Sequence, residues 1–94
     1  MTQHINNIII TTLKEIDPIR IGIFGSYARN EQTKDSDIDI LVKLNKGITL
    51  LQLVRLENEL SEKLGIKVDL VTEGALTNEK LKRAIIKDLE IIFE

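Results

Sequence analysis

The chain has no cysteine and no tryptophan, one proline, and only three aromatic residues among 94: Phe24, Tyr27 and Phe93. Without cysteine there can be neither a disulfide framework nor thiolate ligation of a metal. No apolar run reaches bilayer length and no charged-then-apolar leader opens the chain, so a cytoplasmic protein away from membranes is expected. Positive charge is not in excess either. Thirteen Lys+Arg against 15 Asp+Glu give a net charge of −2, which supplies no general attraction to nucleic acid and argues against a polymerase gripping a long template. The lone histidine, His4, is read as incidental. Ninety-four residues suffice for one small domain with a modest core. No linker, repeat or low-complexity segment interrupts it, so residues 1–94 are expected to form a single domain.

Two carboxylates and a Gly-Ser pair stand out in this composition. Ile21-Gly22-Ile23-Phe24 is a short apolar run that leads into Gly25-Ser26, and ten residues later come Asp37 and Asp39. Gly25 can take backbone angles closed to other residues and lets a phosphate approach closely. Ser26 is expected to cap a short helix through Tyr27, Ala28 and Arg29, whose N–H groups and positive dipole end suit an anion such as a triphosphate. Arg29 and Lys34 are candidate counter-charges.

On a strand, Asp37 and Asp39 share a face, with Cβ atoms roughly 6.5–7 Å apart, while Ile38, Ile40 and Val42 face the core. Two unpaired carboxylates so close repel one another and raise one pKa. A magnesium ion removes the conflict, because it takes hard oxygen ligands and is often held by only one or two carboxylates plus substrate phosphates. A third acid would allow two ions to clamp the attacking and leaving oxygens of an in-line displacement. The candidate is Asp69, in the alternating stretch Ile66-Lys67-Val68-Asp69-Leu70-Val71, which reads as a strand beside that of Asp37 and Asp39.

Singly, each feature has an ordinary explanation. Gly-Ser after a strand is usually a turn, Asp-x-Asp ends many solvated strands, Arg29 suits a structural ion pair, and Tyr27 suits packing. A calcium loop starting at Asp35 fails, because its sixth and twelfth positions hold Ile40 and Lys46. The combination in this order carries the chemistry.

The remaining residues read as scaffold. Ile5, Ile8, Ile9, Thr12, Leu13 and Ile16 have helical spacing over about Gln3 to Glu15, ended by Asp17-Pro18. Thr49 is expected to cap a helix through Lys63, with Leu50, Leu53, Val54, Leu60 and Leu64 along one side and Gly65 as its stop. A third helix is expected from Thr77 as N-cap, with a Leu76–Leu81 staple and a stripe of Ala84, Ile85 and Leu89. Asn45-Lys46-Gly47 reads as a loop, and Glu90–Phe93 as a helix end or a short strand. Alternating helices and strands make this an α/β layer structure.

The segment from Ile21 to Val42 resembles the minimal nucleotidyltransferase (MNT) domains of the DNA polymerase beta superfamily, whose signature is Gly-Ser, ten residues, Asp-x-Asp. Asp69 falls where that family has its third metal-binding acid. Asn30 replaces the Gly of many relatives after Ala-Arg, and asparagine tolerates the left-handed angles such a turn uses. The resemblance implies a nucleotidyltransferase (polymerase beta-like) α+β fold, a small mixed sheet with helices packed on one face and the acids on the open one. It also implies an antitoxin of HEPN/MNT toxin–antitoxin modules. Such an enzyme would transfer AMP from ATP to a tyrosine hydroxyl of a helical HEPN-type toxin. Two Mg²⁺ would be held by Asp37, Asp39 and Asp69, with Asp69 also assisting deprotonation, and the phosphates would sit on Gly25 and Ser26 with Arg29 nearby. A partner or a homo-oligomer would complete the cleft through apolar residues not needed in the core. The rival readings are a non-catalytic module that neutralises its partner by contact, and a nucleotidyltransferase acting on a small molecule.

Overall fold

The computed structural model describes residues 2–94. Thr2 begins the first helix: its hydroxyl accepts from the backbone N–H of Ile5, and α1 follows over Gln3–Leu13. A single turn of 3-10 helix ends at Asp17, whose left-handed φ of 51° turns the chain into Pro18. Proline is tolerated at a strand start, where no ladder donor is required. The remaining elements are β1 (Pro18–Phe24), β2 (Ile38–Leu44), α2 (Leu50–Leu64), β3 (Val68–Thr72), α3 (Glu79–Asp88) and β4 (Glu90–Phe93). Glu90–Phe93 is thus a strand.

The four strands form one mixed sheet in the order β3-β2-β1-β4. β1 is antiparallel to β2 and β4, whereas β2 is parallel to β3. Strand alternation sends Ile21, Ile23, Ile38, Ile40, Val42, Val68 and Leu70 to one face. There they meet Ile9 and Leu13 of α1 and Leu56 and Leu60 of α2 in a single core. The expected mixed sheet with a helical layer on one face is present in this form. The third helix departs from that expectation, because it lies on the face expected to be open: Lys82 and Ile86 of α3 share a cavity with Arg20 and Lys43, which are ladder partners on the opposite face. Leu41 on that face and Ile85 of α3 are both buried outside the main core.

Three local expectations are corrected. In α2 the inward residues are Leu53, Leu56, Leu60 and Leu64, while Leu50 is 76% and Val54 43% exposed. The stripe follows spacings of three and four centred on Leu60, and Leu50 and Val54 fall on its flank. The N-cap of α3 is Asn78, not Thr77, because its side-chain oxygen reaches the N–H groups of Lys80 and Leu81. That one-residue shift places Thr77 and Lys82 at the staple positions, and leaves Leu81 half exposed. Ala84 is also exposed, so the buried stripe of α3 reduces to Ile85 with half-buried Leu89.

β3 is a sheet edge, and its outward donors have partners from α2. The N–H of Val68 donates to Ser61 Oγ at 2.9 Å and that of Leu70 to Glu57 Oε2 at 2.8 Å. These bonds hold α2 and β3 in register and so fix where Asp69, between the two, projects.

Candidate active site

The Gly-Ser turn and the acids meet at one end of the sheet. Phe24, the last residue of β1, is the ladder partner of Asp39, so Gly25 turns away directly behind the Asp39 carboxylate. Gly25 has φ 73°, and a Cβ there would overlap the Asp39 carboxylate. Glycine is therefore required twice, by conformation and by space.

A 3-10 turn over Gly25–Tyr27 follows, and its N-cap is Phe24 with no side-chain cap bond. Ser26 is not the cap. The turn already begins at Gly25, whose carbonyl accepts from the N–H groups of Ala28 and Arg29 at 3.1 and 3.2 Å. The expected short α-helix through Arg29 is thus one tight turn, closed by Glu31 N–H donating to Ser26 O at 2.9 Å. Asn30 takes the left-handed angle expected of it, φ 57°. Tyr27 packs against the core.

Asp37 lies just before β2 rather than inside it. A small turn holds it, in which Thr33 N–H donates to Ser36 Oγ at 2.9 Å, and the next residue enters the sheet through Ile38 N–H donating to Lys67 O at 2.9 Å. Lys67 Nζ stands 3.9 Å from Asp37 Oδ2, a loose pair between exposed groups. Asp39 lies within β2 and Asp69 within β3, directly opposite one another in the parallel ladder. Asp69 is exposed and Asp39 half-buried.

The electrostatics follow this placement. Burial pushes the Asp39 carboxyl above its ordinary range, the charges of Asp69 and then Asp37 push it further, and Arg29 opposes them. The charges of Asp69 and Asp37 thus both bear on Asp39. The three acids do not form a closed cage: among the described residues, no group of three metal-ligating side chains is already gathered at metal-binding distance. An open set of hard oxygens whose repulsion is only partly offset by Arg29 and Lys67 suits a magnesium ion, which keeps water and phosphate ligands and is content with one or two carboxylates.

Arg29 is held by two acids, with Nη1 donating to Asp88 Oδ2 at 2.8 Å and Nε to Glu31 Oε2 at 3.2 Å. These bonds, that to Asp88 foremost, keep its pKa above the usual guanidinium value. Lys34 lies exposed in the connection before Asp37. Asp88 is the residue that sequence reading missed. It is 59 positions from Arg29, and no local pattern signals the pairing.

Comparison with known proteins agrees with this geometry. The family model for the nucleotidyltransferase domain matches residues 7–92. A Methanocaldococcus jannaschii protein, provisionally named a protein adenylyltransferase, is 56% identical over 69 residues, covering 73% of this chain and 70% of that one. Among solved structures, a toxin–antitoxin with AMP-PNP superposes with a TM-score of 0.84 at 28% identity, covering 94% of this chain and 72% of the other. A tri-AMPylated Shewanella oneidensis HEPN toxin in complex with MNT antitoxin gives a TM-score of 0.79 at 26% identity, covering 99% and 72%. The chain belongs to the nucleotidyltransferase domain family. Its activity is that of a nucleotidyltransferase, on the minimal form of the fold.

Proposed function

We propose that this nucleotidyltransferase transfers AMP from ATP to a hydroxyl of a helical HEPN-type toxin, a tyrosine in particular, and so serves as its antitoxin. Residues 1–94 act in this reading as one minimal nucleotidyltransferase domain in the cytoplasm. Among the described residues no helix is long and apolar enough to cross a membrane. The observation that carries the reading is Gly25 backed against the Asp39 carboxylate, with Asp69 opposite Asp39 in the ladder. The naming of the M. jannaschii relative and the AMPylated complex support the choice of acceptor.

The reaction needs little covalent chemistry from the protein. The tyrosine oxygen attacks the α-phosphorus of ATP. The bond from that phosphorus to the bridging oxygen breaks, and pyrophosphate leaves with the bond's electrons. Asp69 takes the hydroxyl proton as the new P–O bond forms. Gly25 and Ser26 present backbone N–H groups and a hydroxyl to the departing phosphates, and Arg29 adds positive charge. Asp37, Asp39 and Asp69 are the residues that would hold Mg²⁺, which when bound offsets charge on the phosphates and lowers the acceptor's pKa.

Intact-mass spectrometry of a HEPN-type partner incubated with this protein, Mg²⁺ and ATP tests the reading. A gain of whole AMP units that disappears with Asp39→Asn is expected. An unchanged partner mass alongside a stable complex would transfer the weight to neutralisation by contact.

A further inference from the structure

Asp88 is the last residue of α3, where the helix dipole disfavours an acid. Its carboxylate must gain elsewhere, and the contact it makes is with Arg29 Nη1, at 2.8 Å. The pair joins the loop after Ser26 to a helix at the far end of the sequence. Asp88 is also the more enclosed of the two acids on Arg29, its side chain 28% exposed against 66% for Glu31. A guanidinium carries five N–H donors in one rigid plane. Bonds from Nε to Glu31 and from Nη1 to Asp88 fix that plane and leave the two Nη2 donors outside both bonds. Arg29 is close enough to the acids for its charge to act on Asp39.

Building on the nucleotide-handling role proposed above, we infer that Asp88 is a positioning residue for the nucleotide. It orients Arg29 so that the Nη2 edge meets the triphosphate held at Gly25 and Ser26. The chemical partner is the polyphosphate of a nucleoside triphosphate, and the base is not involved. A planar fork fixed before binding loses less freedom when it engages phosphate oxygens than one that must first be ordered.

The test uses the full chain with AMP-PNP and Mg²⁺ in calorimetry, together with steady-state AMP transfer to a HEPN-type partner. Asp88→Asn should weaken AMP-PNP binding and raise KM for ATP about tenfold, the scale of one charge-assisted hydrogen bond, with kcat little changed. Its melting temperature should stay near that of the wild type, because the substitution also removes an acid from a helix C-terminus. In an Arg29→Ala background the same substitution should have no further effect on affinity. Unchanged affinity in Asp88→Asn, or a full additional loss in the Arg29→Ala background, would overturn the inference. A wild type that binds AMP-PNP but transfers no AMP would refute the proposed reaction and leave the affinity comparison to judge Asp88. A wild type that binds no nucleotide would overturn both.

Discussion

Asp39 and Asp69 are direct partners in the parallel ladder between β2 and β3, so two carboxylates leave neighbouring strands toward the same face. Nothing in such a pairing favours folding by itself, since like charges directly opposite across strands are destabilising. In the function proposed above, a bound cation would offset that repulsion.

A pH dependence follows for the metal-free protein. The folded-state pKa of Asp39 lies above its ordinary value, through burial first and then the charges of Asp69 and Asp37. Its contribution to stability is therefore fully present below the unfolded-state pKa and is lost as pH rises through the folded one. Asp39→Asn should abolish AMP transfer yet melt higher than wild type at neutral pH in chelator, with the gap closing in acid. Paired thermal melts across that range check this; a gap that widened in acid would reverse the sign.

Gly25→Ala should damage both fold and site. The residue must hold φ 73° and its new methyl would strike the Asp39 carboxylate. A non-glycine residue in that region costs about 1–3 kcal/mol, and displacing Asp39 adds to it. Denaturant unfolding should show the loss, and calorimetry should find nucleotide binding severely weakened.

Gly65→Ala separates conformation from space. Gly65 ends α2 at φ 67°, but a Cβ there meets nothing within 4 Å. A stability loss of about 1–2 kcal/mol is expected from the left-handed backbone alone. AMP transfer per folded molecule should be unchanged, and a combined melt and activity assay decides it.

Leucines of α2 should differ sharply. Leu60 is fully buried and Leu51 84% exposed. Leu60→Ala should cost about 2–5 kcal/mol, whereas Leu51→Ala should stay within about 0.5 kcal/mol of wild type. Equal losses in urea unfolding would contradict the burial pattern.

Much of this was legible in the residues because two signals are local. Alternation through Ile38, Ile40 and Val42 identified β2, and Thr49 with Gly65 bounded α2 to within a residue. Asn30 likewise took the left-handed angle its side chain tolerates. The misses have tertiary causes. Thr77 and Asn78 both cap helices well, and only the chain's path chooses the second. Ser26 lost its capping role because the turn starts one residue earlier, where Gly25 backs onto Asp39. Leu50 and Val54 carry the right chemistry for a core but sit off the line facing β3. For the site, the spacing of Gly25, Ser26, Asp37 and Asp39 led to one end of the sheet. The grip of Asp88 on Arg29 depended on where α3 docks, which no stretch of sequence encodes by itself.

The side chains of Ser61 and Glu57 on the outer donors of β3 have a consequence for how a partner can arrive. A strand laid alongside β3 would have to displace a hydroxyl and a carboxylate that already satisfy Val68 and Leu70. The sheet is thereby sealed against lengthening on the flank that bears Asp69. Under the function proposed above, an acceptor would therefore reach Asp69 by some route other than adding a strand to this edge.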